Sequence, residues 1–126
     1  MVDSLFCWMD AMTHTIPIRL RPKARPRRGK GGHYYTPDTG EDDLRVLLVK
    51  AVREGKLRRW EPGDQVHYVF GFRGTCRGDG DNYEKLCNDA GNGVLWEDDR
   101  MVKRCSWEVR EGEGRDYLTV RIEGGK

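Results

Sequence analysis

The chain has 126 residues, of which 35% are charged and 37% hydrophobic, which fits one soluble domain with a single core. It has no stretch of the ~18 apolar residues that a membrane-spanning helix needs. Its first twelve residues also lack the basic residues with which a secretory signal begins. We therefore expect a cytoplasmic protein without a membrane partner. The net charge of +2 conceals an asymmetry: residues 1–60 carry 13 basic and 7 acidic side chains, and residues 61–126 carry 10 and 14, as suits a polyanion binder that also concentrates carboxylates.

The start of the chain divides into an extension and the first strand of a domain. Residues 1–14 show no clear hydrophobic period, and we expect them to form a flexible extension to a domain of residues 15–126. Residues 16–20 alternate apolar and polar side chains and predict a short strand, which Pro17 places near a sheet edge because proline donates no hydrogen bond. Residues 34–36 predict a second short strand.

A basic arm lies between these two predicted strands. Residues 19–30 contain no acid and seven basic side chains: Arg19, Arg21, Lys23, Arg25, Arg27, Arg28 and Lys30. Their charges can neutralise several phosphates and would give salt-sensitive, sequence-independent binding to a nucleic acid. A solubilising tail is the alternative interpretation. The residues that we expect to contact DNA are Lys23, Arg25, Arg27, Arg28 and Lys30 of the arm, with Arg77 from a later loop.

The rest of the chain alternates helical and strand patterns. A helix is predicted from about residue 40 to Gly55, with three acids in its first turn, where the helix dipole favours them. A strand follows at residues 66–72, a second helix at 81–90, a strand at 101–109, a hairpin turn at 112–114 and a last strand at 118–122. The order β-α-β-α-β-β predicts an α+β domain, in which two or three helices pack on one mixed four-stranded sheet.

Two acids stand at the entry to the second predicted helix. Asp79 precedes the helix and Asp81 lies in its first turn, where the helix dipole stabilises carboxylates. Two carboxylates about 4 Å apart repel by about 4 kcal/mol at an effective dielectric constant of ~20. Mg²⁺ would remove this repulsion, since it prefers oxygen ligands. The alternative is a helix cap beside a solvated acid, which is the commoner role of a D-x-D pair.

A lysine and a second acidic pair extend this candidate metal site. Lys85 lies one helical turn after Asp81, where its ammonium could contact a scissile phosphate, or form a surface salt bridge instead. Asp98 and Asp99 follow the helix and could supply the remaining ligand, although a D-D pair alone is usually a turn. The two acidic segments bracket one short helix, as we expect of a shared site.

The four cysteines do not indicate a zinc site. Cys7, Cys76, Cys87 and Cys105 contain no pair at the C-x-x-C spacing that is typical of zinc ligands. We expect free, partly buried thiols, as is usual in a reducing compartment.

Two spaced motifs resemble the signature of the RusA family of Holliday junction resolvases. Residues 79–85 read D-G-D-N-Y-E-K, and residues 93–99 read G-V-L-W-E-D-D. The upstream runs K-A-R-P-R at residues 23–27 and Y-T-P at 35–37 are similar to the family's basic segment. The resemblance covers about residues 16–122. Two glycines depart from the family pattern, since Gly80 stands where an apolar side chain is frequent and Gly78 where some relatives carry an aromatic one.

The resemblance implies a small homodimer that nicks four-way DNA junctions symmetrically in recombination and repair, with Mg²⁺ or Mn²⁺, often encoded by a prophage. It implies that Asp79, Asp81 and Asp99 are the catalytic acids, that Lys85 assists them and that Asp98 is a further ligand or orients Asp99. Two alternatives stay open, namely a module that binds junctions or single strands without cutting, and a general or flap nuclease.

Overall fold

The computed structural model describes residues 11–21, 40–76 and 78–124, and only the backbone of residues 27–28 and 34–35. The elements in chain order are β1 (Ala11–Ile16), β2 (Arg27–Arg28), β3 (Tyr34–Tyr35), α1 (Glu41–Arg53), β4 (Gln65–Arg73), α2 (Gly80–Gly91), a 3-10 turn (Asp99–Met101), β5 (Arg104–Gly112) and β6 (Tyr117–Glu123). The small α+β domain predicted from the sequence, with two helices and a mixed four-stranded sheet, is therefore confirmed.

The sheet has the order β1-β6-β4-β5, with β4 and β5 parallel and the other pairs antiparallel. β4 lies inside the sheet because it is the most apolar strand: Tyr68, Phe70 and Phe72 face the core, and Val69 is buried on the opposite face. β5 is the most polar of the long strands and forms one edge. The short strands β2 and β3 pair with each other, and the described residues show no other partner for them.

The first strand lies earlier in the chain than predicted. It runs from Ala11 to Ile16 rather than over residues 16–20, and pairs with β6 along its whole length. Pro17 has no backbone N–H and ends the pairing that the prediction would have continued. Residues 11–14, which we expected to precede the domain, belong to its sheet, and residues 1–10 lie outside the described residues.

The predicted hairpin between the last two strands is wrong. Residues 113–116 join β5 to β6, but β4 lies between these strands and pairs with both. The turn signal at residues 112–114 is local, whereas strand order depends on which strand buries most apolar surface. The more apolar β4 therefore takes the position that a hairpin partner of β6 would occupy.

Both helices contribute to one core, and α2 sets the two ends of the candidate site. Leu44 and Leu48 of α1 and Tyr83 and Leu86 of α2 are buried in the core that the sheet also lines. Arg45 of α1 donates to the carbonyls of the last turn of α2, at 2.8 and 3.3 Å, where the helix dipole favours a cation. In the chain, α2 follows β4 through a short loop, and the 3-10 turn with Asp99 comes after its other end. Among the described residues, no helix has the length and apolar character needed to cross a membrane.

Candidate metal centre

The Asp79 turn presents two free carboxylates. Asp79 is the N-cap of α2, and its carbonyl accepts a hydrogen bond from Asn82 at 3.1 Å, but its side chain makes no capping bond. Asp81 follows in the first helical turn, and both acids are exposed. Neither carboxylate has a hydrogen bond or ion pair to any residue in the described part of the chain. Asp79 therefore occupies the N-cap position that the helix-cap alternative expects, but its carboxylate does not cap the helix and is available to a ligand.

Lys85 is also free to act on a ligand. It is exposed one turn after Asp81, and within the described residues no salt bridge joins its ammonium to an acid. The surface salt bridge that is the common explanation of such a spacing is therefore absent from this part of the molecule.

Gly80, between the two acids, is fixed by close packing. A Cβ at this position would lie 2.1 Å from the ring of Trp107, because the indole of this β5 residue packs against the first turn of α2. Trp107 also contacts Phe70, with 6.2 Å between the ring centroids. The absence of a side chain at Gly80 thus allows the helix to approach the sheet closely, and the turn is held by packing.

Hydrogen bonds from the neighbouring strands hold the loop before Asp79. The backbone N–H of Arg73 donates to Asp116 at 2.6 Å, and that of Gly74 donates to the carbonyl of Gly112 at 2.8 Å. Further along, the N–H of Cys76 donates to the carboxylate of Glu111. These bonds use backbone donors of the loop and leave the carboxylates of the following turn unengaged.

Asp98 and Asp99 lie at the opposite end of α2. The loop before them is folded over this end by Trp96, whose ring nitrogen donates to the carbonyl of Asn88 at 3.1 Å. The side chain of Asn92, at the helix C-cap, then accepts from the backbone N–H of Asp99 at 2.8 Å. The position of Asp99 therefore depends on the last turn of α2 and on the loop that follows it.

The two acids of this pair have different environments. Asp98 accepts from the backbone N–H of Arg100 at 2.9 Å and from its guanidinium at 2.9 and 3.2 Å, which lowers the pKa of Asp98 to about 2. Burial raises the pKa of Asp99, and the adjacent carboxyl groups of Asp98 and Asp89 raise it further, against the lowering effect of Asn92. Asp98 is committed to Arg100, whereas Asp99 lies among like charges that a cation would relieve.

The length of α2 separates the two acidic segments. Asn92 is eleven positions after Asp81, so at 1.5 Å per residue these positions are about 16 Å apart along the helix axis. In the part of the chain that the structure describes, no group of three His, Cys, Asp or Glu side chains is arranged to hold a metal ion. The donor chemistry suits Mg²⁺, but one chain brings together only the Asp79 turn.

Two thiols lie between α2 and the sheet: Cys87 of α2 is buried, and Cys105 of β5 is partly buried. Burial raises the pKa of Cys87 well above its usual range and, with the nearby Glu84 carboxylate, raises that of Cys105 to about 12. Cys76, Cys87 and Cys105 are free, as predicted, and Cys7 lies outside the described residues. Protonated thiols are poor metal ligands, so these cysteines are structural.

The predicted DNA-binding arm lies largely outside the described residues, as do Lys23, Arg25, Lys30 and Arg77. The backbones of Arg27 and Arg28 form β2 and pair with Tyr35 and Tyr34.

The sequence did not predict a surface cavity of about 530 Å³ at the end of the sheet where the Asp79 turn lies. Three arginines line it, namely Arg19, Arg73 and Arg115. Glu113 and Asp116 line it too. Arg19 belongs to the basic arm, but Arg73 and Arg115 come from distant segments, so the charge run of the arm could not have revealed them.

Comparison with known families agrees with the motifs. The sequence model of the family described as endodeoxyribonuclease RusA matches residues 17–123. The chain belongs to the RusA family. The match includes both acidic segments, Lys85 and the whole of the sheet from β4 onward. No curated protein sequence matches the chain.

Proposed function

We propose that this RusA family member is a divalent-metal-dependent endonuclease that resolves four-way DNA junctions by paired nicks in recombination and repair. The observation that carries the proposal is the pair of free carboxylates at Asp79 and Asp81, held at a helix N-terminus by close packing. Oxygen ligands in this arrangement suit Mg²⁺, with Mn²⁺ as a substitute.

Each residue of the site has a role that its chemistry allows. Asp79, Asp81 and Asp99 would hold the metal, and Asp98 orients its neighbour through the turn that Arg100 closes. When bound, Mg²⁺ would supply an activated water and stabilise charge on the leaving 3′ oxygen, giving nicks with 5′-phosphate ends. The free ammonium of Lys85 would contact a non-bridging oxygen of the scissile phosphate, where charge develops.

Substrate binding requires cations around these acids. The basic arm, including Lys23, Arg25, Arg27, Arg28 and Lys30, together with Arg77, would neutralise phosphates of the branched substrate. A homodimer would place two sites on opposed strands, in agreement with the two-fold symmetry of a junction.

Replacement of Asp81 by Asn tests the proposal. We expect Asp81→Asn to reduce cleavage of a synthetic four-way junction by a factor of about 10³, because an amide is a poor ligand for a hard cation, and to leave junction binding as tight or tighter. Cleavage is measured on gels with Mg²⁺ and with chelator. Asp43→Asn is a matched control, since Asp43 is an exposed acid in the first turn of α1.

The same assay distinguishes the alternatives. Binding without Mg²⁺-stimulated nicking by the wild-type protein would identify a binding module rather than a nuclease. Equal cleavage of junction, duplex and single strand would identify a general nuclease. Unchanged cleavage by Asp81→Asn would show that the acids of the Asp79 turn are not the site.

A further inference from the structure

The arginine-lined cavity at the end of the sheet and a neighbouring tyrosine ring lead to a further inference. It rests on the proposed function, because its ligand is the branched DNA. We propose that the cavity and the ring together bind one unpaired nucleotide of that DNA, with its phosphate between Arg73 and Arg115 and its base stacked on Tyr117. The cavity of about 530 Å³ lies where β4 ends and the loop to the Asp79 turn begins.

Two of the three arginines of the cavity have no acidic partner. Arg73 and Arg115 line the cavity and are exposed, and no acid among the described residues forms an ion pair with either of them. Like charges that face one cavity repel each other, and an anion between them removes this repulsion. The oxygens of a phosphate match the fork of N–H donors that each guanidinium presents. The cavity therefore suits a phosphodiester group.

The two acids of the cavity do not cancel its positive charge. One oxygen of Asp116 accepts from the backbone N–H of Arg73 at 2.6 Å, and the other lies 3.9 Å from Nε of Arg19, so Asp116 and Arg19 offset each other. Glu113 is exposed and forms no ion pair within the described part of the chain. It opposes only one of the two remaining arginines, which leaves a net positive charge for a phosphate.

The ring of Tyr117 lies flat on the sheet beside this cavity. Tyr117 of β6 pairs with Gly71 of β4, and a Cβ at Gly71 would lie almost equally close to three consecutive atoms of the phenol ring. The face of the ring, not its edge, therefore covers this glycine, and the other face points away from the sheet. Among the described residues, no aromatic ring or cation stacks on Tyr117, which is only partly buried. The phenol thus offers one flat face to a base.

The cavity and the ring are close enough to hold the two parts of one nucleotide. Phe70 and Phe72 of β4 face the core to which both helices contribute, so the alternate residues Gly71 and Arg73 lie on the opposite face of the sheet. Residues two apart in a strand are separated by about 7 Å. One nucleotide spans this distance, so the phosphate at Arg73 and the base over Gly71 belong to the same nucleotide.

The stacking surface selects an unpaired nucleotide, because a base inside a duplex has both faces covered by its neighbours. Proteins that bind single strands combine a basic groove with aromatic side chains on which bases of any identity stack. A four-way junction interrupts the stack of base pairs at its branch point. Arg73 and Asp79 are six positions apart, so their Cα atoms are separated by at most about 22 Å. The nucleotide would therefore be held near the Asp79 turn.

Binding of a single-stranded probe tests the arginines. Fluorescence anisotropy measures the affinity of the full chain for a short fluorescein-labelled oligothymidylate, in chelator so that no strand is cut. We expect Arg73→Ala and Arg115→Ala each to weaken binding about tenfold and to lower the slope of log affinity against log salt by about 0.7. Arg53→Ala is the matched control and should change the affinity less than about twofold, since Arg53 is an exposed arginine in the last turn of α1, outside the cavity.

Two substitutions at Tyr117 separate base stacking from packing on the sheet. Tyr117→Phe keeps a ring over Gly71 and should bind the probe within about twofold of wild type, whereas Tyr117→Leu should weaken binding about tenfold or more. Glu113→Gln should act in the opposite direction and tighten binding about twofold, because it removes an acid from the cavity. Circular dichroism checks that each variant is folded, and Glu113→Gln and the arginine variants still test the site if Tyr117→Leu does not fold.

A duplex probe, made by annealing the same strand to oligodeoxyadenylate, tests the preference for an unpaired nucleotide. Tyr117→Leu should leave duplex affinity unchanged, and equal losses for both probes would overturn the inference. Losses no larger than that of Arg53→Ala, or equal losses in Tyr117→Phe and Tyr117→Leu, would overturn it too. Wild-type cleavage of junctions together with unchanged probe binding by the cavity variants would overturn this inference and leave the nuclease proposal standing. Failure of the wild type to cleave any DNA, with the expected losses of probe binding, would contradict the nuclease proposal and support the nucleotide site.

Discussion

The two acidic segments of this protein are held in place in different ways. The Asp79 turn is fixed by the Gly80–Trp107 contact and by backbone hydrogen bonds of the preceding loop, and neither of its carboxylates is bonded to another described residue. The turn at Asp98 is fixed by side chains, because Asn92 holds the backbone of Asp99 and Asp98 is used to bind Arg100. In the proposed function, the first segment would therefore supply two ligands and the second only one.

This difference shows that an acidic motif does not reveal how many of its carboxylates are available. D-x-D and D-D look alike in the sequence. Yet the first pair has no side-chain partner among the described residues, whereas one acid of the second pair is bonded within its own turn. Substitutions that disturb these two turns should therefore differ in how strongly they affect stability and cleavage. Disturbing the Gly80–Trp107 packing is expected to lower the free energy of unfolding most. Loss of the hydrogen bond between Asn92 and Asp99 should lower it less, and loss of the Asp98–Arg100 ion pair least.

Gly80→Ala should break the packing that holds the Asp79 turn. The added Cβ would meet the Trp107 ring, and overpacking of this kind costs about 1–3 kcal/mol in the free energy of unfolding. Cleavage should fall as well, because the turn that carries both free acids must shift. Urea denaturation and junction cleavage measure the two effects.

The control for this substitution is Gly114→Ala, where a Cβ would meet nothing within 4 Å. A double variant with Trp107→Leu should recover part of the stability lost in Gly80→Ala, since the smaller side chain makes room for the methyl group. Purely additive losses in the double variant would show that Trp107 does not support the turn.

The sequence predicted the elements of the fold better than their arrangement. Helical and alternating patterns located α1, α2, β4 and β6 closely, because amphipathic periods depend on local spacing. These local patterns could not predict that β4 lies between β5 and β6, because strand order depends on how much apolar surface each whole strand buries. The start of β1 was missed because residues 11–15 contain few strongly apolar side chains.

The candidate site shows the same division between chemistry and geometry. The spacing of Asp79, Asp81 and Lys85 indicated a metal-binding turn, and none of these three side chains has a hydrogen bond or ion pair to the described residues. The contact between Gly80 and Trp107 joins residues 27 positions apart and has no local signal. The separation of Asp99, however, could have been calculated from the predicted length of the second helix and its rise of about 1.5 Å per residue.

Asn92→Ala should loosen the second segment without affecting the first. It removes the acceptor of the Asp99 N–H, and the loss of one such hydrogen bond costs about 0.5–1.5 kcal/mol. We expect cleavage to fall about tenfold, since Asp99 would be less well positioned, in line with the cost of displaced catalytic groups. Thr119→Ala is the control, because it also removes one side-chain hydrogen bond, to Thr15, but lies on β6 outside both acidic segments. Unchanged cleavage by Asn92→Ala would show that this bond does not position the acid.

The ion pair between Asp98 and Arg100 should have the smallest effect, and one that depends on pH. Arg100 lowers the pKa of Asp98 to about 2 in the folded chain, below the unfolded value of about 3.9. A lowered folded pKa contributes stability that is present above the unfolded pKa and is lost as pH falls towards 2. In metal-free protein, the urea midpoint of Asp98→Asn should therefore lie slightly below that of wild type at pH 6, and the difference should shrink from pH 4 to pH 2. The side chains are exposed to solvent, so added salt should reduce the difference at pH 6 as well. A difference that grows on acidification would mean that Asp98 is not held by Arg100, and would free it to act as a ligand beside Asp99.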